Sequence, residues 1–167
     1  MALFINRKSI CFGLLLTLSS LCYANSTHNI YMMTLSVLSY VKWTNENPTL
    51  CVVENPTTSS LFNQTFSQQK SKFKVAPITA TDISSKTCDA VFFSQSNPSF
   101  EQKTINNAAN RSILSFSNNN PDCEIGSVFC LYSSKSGNTR FKVNLDSLAK
   151  TKIHIDPRVL LLAQNQE

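Results

Sequence analysis

The chain has 167 residues, 42% of them hydrophobic, and a formal net charge of +5 at pH 7 from 15 Lys and Arg against 10 Asp and Glu. That length supports one ordinary domain with a core of its own. The charge is modest, and its densest cluster, Lys70, Lys72 and Lys74, has no aromatic ladder beside it; it reads as a solvated edge and not as a nucleic-acid surface.

Residues 1–24 read as a secretory signal peptide. Arg7 and Lys8 give a positive start, Ile10 to Leu18 a short apolar run, and Cys22-Tyr23-Ala24 small residues at −3 and −1, with cleavage after Ala24. The run is short of the ~20 residues that span a bilayer. Leu21 before Cys22 stands where a lipoprotein signal has a small residue, which argues against lipidation. The expected mature domain is 25–167, exported and soluble, with a charge of +3 once Arg7 and Lys8 are gone.

Export changes the meaning of the cysteines. Cys11 and Cys22 leave with the leader, and Cys51, Cys88, Cys123 and Cys130 remain. An even number in an exported chain favours disulfides. In "DCEIGSVFC" (122–130), Gly126 lets the chain bend back so that Cys123 pairs with Cys130, which leaves Cys51 with Cys88. In the chain-entropy model the long loop is worth about 4 kcal/mol and the short one roughly 2.5. Zinc and thioredoxin-like redox chemistry both lack a C-x-x-C, and the nearest histidine to Cys123 and Cys130, His154, is far along the chain. No metal is expected.

The first mature element reads as a helix capped by Ser26 or Thr27. Ile30, Met33, Val37 and Val41 recur at helical spacing, Met32, Leu35 and Leu38 widen the stripe, and the helix is expected to end near Trp43. "TLCVV" (49–53) is a wholly apolar strand of the kind buried on both faces. Asn55-Pro56 is a cap with a first-turn proline, opening a helix with Leu61, Phe62 and Phe66. "FKVAPI" (73–78) and "CDAVFF" (88–93) read as strands. Asn97-Pro98 starts another helix through about Ala109, and "RSILSFS" (111–117) is a further strand. Strands alternating with helices imply an α/β fold: a mainly parallel sheet covered on both faces. At the end, "SVFCLYSS" and "TRFKVNL" flank Lys135-Ser136-Gly137-Asn138 as a β-hairpin. Asn144 caps a short helix through Lys150, and Asp156-Pro157 caps the last one, "RVLLLAQ".

The chemistry of an enzyme is thin. The three glycines, Gly13, Gly126 and Gly137, cannot build a nucleotide-binding cradle. Neither His28 nor His154 belongs to a nucleophile motif, and the alternation Ile153-His154-Ile155 turns His154 to solvent. No catalytic residue and no cofactor are expected. What remains is surface that binds. Trp43 is the single tryptophan, and one helical face cannot bury Val159, Leu160, Leu161 and Leu162 together, so part of that cluster is expected to be exposed as a contact surface.

"SYVKWT" and "TLCVV" (within 39–53), "CDAVFF", "CEIGSVFCL" (123–131) and "RFKVNLDSLAKTKIHIDPRVLLLA" (140–163) together, in this order, resemble YfiR-family periplasmic proteins. The resemblance implies a repressor that binds the periplasmic sensor region of an inner-membrane diguanylate cyclase of the YfiN type and holds down cyclic di-GMP synthesis. It implies a YfiB-type outer-membrane lipoprotein that sequesters the repressor, a homodimer, and two disulfides with the pairing given above. Trp43 and Val159–Leu162 fall in the matching blocks; their partner-binding role is read from apolar exposure. The competing reading is a periplasmic small-molecule-binding protein, which requires a pocket with convergent polar groups.

Overall fold

The computed structural model describes residues 29–108 and 112–164. The expected leader at 1–24, the expected Ser26 or Thr27 cap and His28 lie outside the described residues.

The elements follow in the order α1 (Ile30–Ser39), β1 (Thr49–Val53), α2 (Pro56–Gln68), β2 (Lys74–Ile78), a 3-10 turn (Ala80–Ser84), β3 (Ala90–Phe93), α3 (Pro98–Asn107), β4 (Leu114–Ser117), β5 (Phe129–Ser133), β6 (Thr139–Val143), α4 (Leu145–Lys150) and α5 (Arg158–Gln164). Asparagine caps recur. Asn29, Asn55, Asn97 and Asn144 each accept a backbone N–H of the first turn, from Met32, Thr58, Phe100 and Ser147, satisfying a donor that the helix start leaves orphaned. Pro56 and Pro98 occupy first-turn positions where a missing N–H costs nothing.

The first helix is shorter than its apolar spacing predicts. It stops at Ser39, because the next residues leave helical geometry to pair with the C-terminal segment. Val41 bridges Ile155 antiparallel, Lys42 N–H donates to His154 O at 3.0 Å, and Asp156 N–H donates to Tyr40 O at 2.9 Å. Val41 is buried, but from extended backbone, so its fit to the helical period is coincidental. Met32 and Leu61, read as apolar-face positions, are exposed.

The six strands form one sheet in the order β2-β1-β3-β4-β5-β6, parallel throughout except for the β5–β6 hairpin. Pro77 lies in β2, an edge strand, where a strand proline is tolerated. The order reverses direction between β1 and β3, as in doubly wound α/β sheets. Helices therefore cover both faces. Leu50, Val52, Phe92, Phe116, Phe129 and Phe141 point to the face packed by α1, α2 and α5. Cys51, Val53, Val91 and Phe93, alternating with them, point to the face packed by the 3-10 turn and α3.

One crossover is unusual. Parallel neighbours normally need a connection of a dozen or more residues, most often a helix. Between β4 and β5 only residues 118–128 are available, they contain no helix, and the two strands pair only at Phe116–Phe129 and Ser117–Cys130. The stretch "DCEIGSVFC" is this crossover, and a disulfide stands where a helix ordinarily would.

Candidate functional site

The last helix is positioned from its first residue. The Asp156 carboxylate accepts from the Arg158 backbone N–H and from its guanidinium, and that guanidinium lies 5.8 Å from the centre of the Tyr40 ring. The Arg158 hydrogen bonds pull the Asp156 carboxyl down to about 2. Whatever the pairing contributes is present above the ordinary value of 3.8 and is lost as pH falls through about 2. Tyr40, Lys42, His154, Asp156 and Arg158 line an open groove at this junction, with His154 exposed as its alternation with Ile153 and Ile155 implies.

Downstream, α5 splits its apolar residues. Val159 has no exposure and belongs to the core beside β6, which removes it from any contact surface. Leu160 is partly buried against the same core, whereas Leu161 is 55% and Leu162 41% exposed. The physical reason is helical geometry: four successive positions sweep around the helix, and only one direction faces the sheet. Trp43 is elsewhere. Its Nε1–H donates to Leu38 O at 2.9 Å, closing the end of α1, and its ring packs edge-on against Phe73, beside the β2 edge. It is half-buried against the core, while α5 packs on β6 at the opposite edge of the sheet.

Both disulfides pair as the spacing implies, Cys51 with Cys88 and Cys123 with Cys130. The second has a companion that sequence reasoning missed. Glu101, on α3, is fully buried. It accepts from Ser117 Oγ, from Asn120 Nδ2 at 3.2 Å and from the Ser127 backbone N–H at 3.1 Å, so one carboxylate grips both ends of the β4–β5 crossover. Burial pushes its carboxyl up from the ordinary range, and the hydrogen bonds from Ser117, Ser127 and Asn120 oppose that rise only in part. In sequence Glu101 is one acid in "SFEQK", indistinguishable from a solvated helix position; the readable signal is the short β4–β5 connection, which leaves something else to hold it.

Gly126 is the point of closest approach. Its φ is +86°, and a Cβ there would lie 2.7 Å from Glu101 Oε2 and 3.0 Å from the Pro98 carbonyl. Gly126→Ala should therefore lower stability by about 2–4 kcal/mol, the sum of a left-handed backbone cost and overpacking against main chain. Urea unfolding checks this; a loss no larger than that of an exposed surface substitution would show that the loop shifts freely.

Among the described residues no group of three or more His, Cys, Asp or Glu is arranged to hold a metal ion, and no helix is long and apolar enough to cross a membrane. The sequence matches the model of the YfiR/HmsC-like family over residues 31–164. The chain belongs to the YfiR/HmsC-like family. The match spans α1 to α5, so the stapled crossover and the α5 surface both lie within the part of this YfiR-like protein that defines its kinship.

Proposed function

We propose that this YfiR-like protein is a periplasmic negative regulator that binds the periplasmic sensor region of an inner-membrane diguanylate cyclase and represses cyclic di-GMP synthesis. The family match carries the reading. Two disulfides suit an oxidising compartment. The partner surface in this reading is the exposed side of α5, Leu161 and Leu162, flanked by the Asp156–Arg158 pair as a polar rim and with Leu160 in part; Trp43 is a second, separate contact. A YfiB-type outer-membrane lipoprotein competes for the repressor, which acts as a homodimer.

The deciding measurement is intracellular cyclic di-GMP in a strain deleted for the gene, complemented with wild type or with a Leu161→Asp/Leu162→Asp variant. Deletion should raise the level, wild type should restore it, and the variant should fail to restore it although its unfolding midpoint stays near that of wild type, since changes at exposed positions usually cost within about 0.5 kcal/mol. Unchanged cyclic di-GMP on deletion, with the cyclase expressed, overturns the repressor reading. Full complementation by the variant moves the contact surface away from α5.

A further inference from the structure

The crossover without a helix leaves the sheet incompletely covered on the α3 side. There, between α3 and α4 and over β3 to β5, lies a cavity of ≈ 220 Å³. Val91, Ile113 and Val128 with Ile105 of α3 supply much of its apolar lining. Polar groups interrupt it on three sides, Gln102 and Asn106 from α3, Ser115 from β4, and Ser147, Lys150 and Thr151 from α4 and its end. Ser115 Oγ accepts from the Val128 N–H at 3.0 Å, which leaves a hydroxyl proton to donate. Lys150 brings the single charge among the lining residues, and it is positive.

We infer that this cavity is a binding site for a small monocarboxylate with a compact apolar body. The volume sets the size. A dry apolar cavity of about 150 Å³ accepts benzene, so ≈ 220 Å³ holds a single ring or a branched aliphatic group with a short polar head. The lining sets the chemistry: a mainly apolar surface with a few polar groups aimed into it is the usual composition of a small-ligand pocket, and here the one charge among them is the Lys150 ammonium. The carboxylate lies toward the Lys150 ammonium and the Ser115 hydroxyl, which are donors, while the ring or branched body lies on Val91 and Ile113. The walls are fixed in advance, because Gly126 ties them together: its N–H donates to Gln102 Oε1 of α3 at 3.0 Å, and its carbonyl accepts from Ser147 Oγ of α4 at 2.8 Å. A pocket held open by the fold does not spend binding free energy on ordering itself.

The test uses the purified mature protein with both disulfides intact and three probes, phenylacetate, benzoate and isovalerate, against phenylacetamide as an uncharged counterpart. Amide and methyl NMR shifts are followed up to millimolar probe. At least one acid should give saturable shifts centred on Val91, Ile113 and Ser147. Ile105→Trp, which fills the cavity from a half-buried helix position, should abolish them. Lys150→Gln, an exposed change that leaves the core alone, should weaken the acid about tenfold, the worth of one charge-assisted hydrogen bond, and leave the amide unchanged. Three outcomes overturn the assignment: no saturable shift with any acid, shifts centred away from the cavity, or equal affinity for acid and amide in the wild type. None of them depends on cyclase repression.

Discussion

Glu101→Ala should lower the unfolding free energy by about 3–4 kcal/mol, although no charged partner is lost. The substitution removes the acceptor of three buried donors at once, the Ser117 hydroxyl, the Ser127 N–H and one N–H of the Asn120 amide, which keeps the Ile125 carbonyl. Each orphaned group costs about 1–3 kcal/mol, and relief from holding a buried carboxyl offsets part of the sum. Glu101→Gln separates the two contributions, since it keeps the shape and one acceptor oxygen but cannot ionise. The carboxyl is held above its ordinary value of 4.5 by burial. Between that value and the raised native one, the folded state binds more protons than the unfolded state, so stability falls as pH rises. The contribution is complete below 4.5 and is lost on passing upward through the native value. Wild type should therefore exceed Glu101→Gln by its widest margin in acid, and the margin should shrink toward neutral pH. Urea unfolding of both proteins across this range tests it. A margin independent of pH would mean that the Glu101 carboxyl titrates alike in the folded and unfolded states, and would remove it as a pH-sensitive element.

Much of the architecture is readable from residues because local and global preferences coincide. Asn-Pro at 55–56 and 97–98 marks two helix starts unambiguously, and β1 and β3, buried on both faces, advertise a parallel sheet through unbroken apolar runs. The failures have physical causes. Val41 obeys helical spacing but is recruited by Ile155, more than a hundred residues away, and no periodicity argument contains that pairing. The four apolar residues of α5 are legible as a cluster, yet which of them faces β6 depends on the helix's rotation, set by the Asp156 cap and the bridge before it. Glu101 and the cavity are the least legible. Each is a by-product of a missing helix, and a sequence records what is present more plainly than what a topology lacks.

Replacing both cysteines of the long disulfide, Cys51→Ala/Cys88→Ala, should cost more than replacing the short one, about 4 against roughly 2.5 kcal/mol, as the closed loops dictate. The sequence separations are 37 and 7. Alanine is chosen because all four sulfurs belong to buried residues, where a serine hydroxyl would add a penalty of its own. The ranking should hold in the unfolding free energies from urea curves, with m-values that rise as each lost cross-link lets the unfolded chain expand. The short bridge, however, shares its task. With Cys123 and Cys130 replaced, Glu101 still joins Ser117, Asn120 and Ser127, and with Glu101 replaced the disulfide still closes the crossover. Each device masks the loss of the other, so removing both should cost more than the two separate losses added together. Coupling between groups in one network runs about 0.5–3 kcal/mol. A cycle built from Glu101→Gln and Cys123→Ala/Cys130→Ala measures it directly, and the same cycle with Cys51→Ala/Cys88→Ala, whose bridge joins β1 to the segment before β3, should show none. Equal coupling in both cycles would mean that Glu101 steadies the whole domain and not the crossover. Coupling confined to the short bridge would make residues 118–128 a separately secured unit, one whose loosening reaches α3 and α4 through Gly126 before it reaches the rest of the sheet.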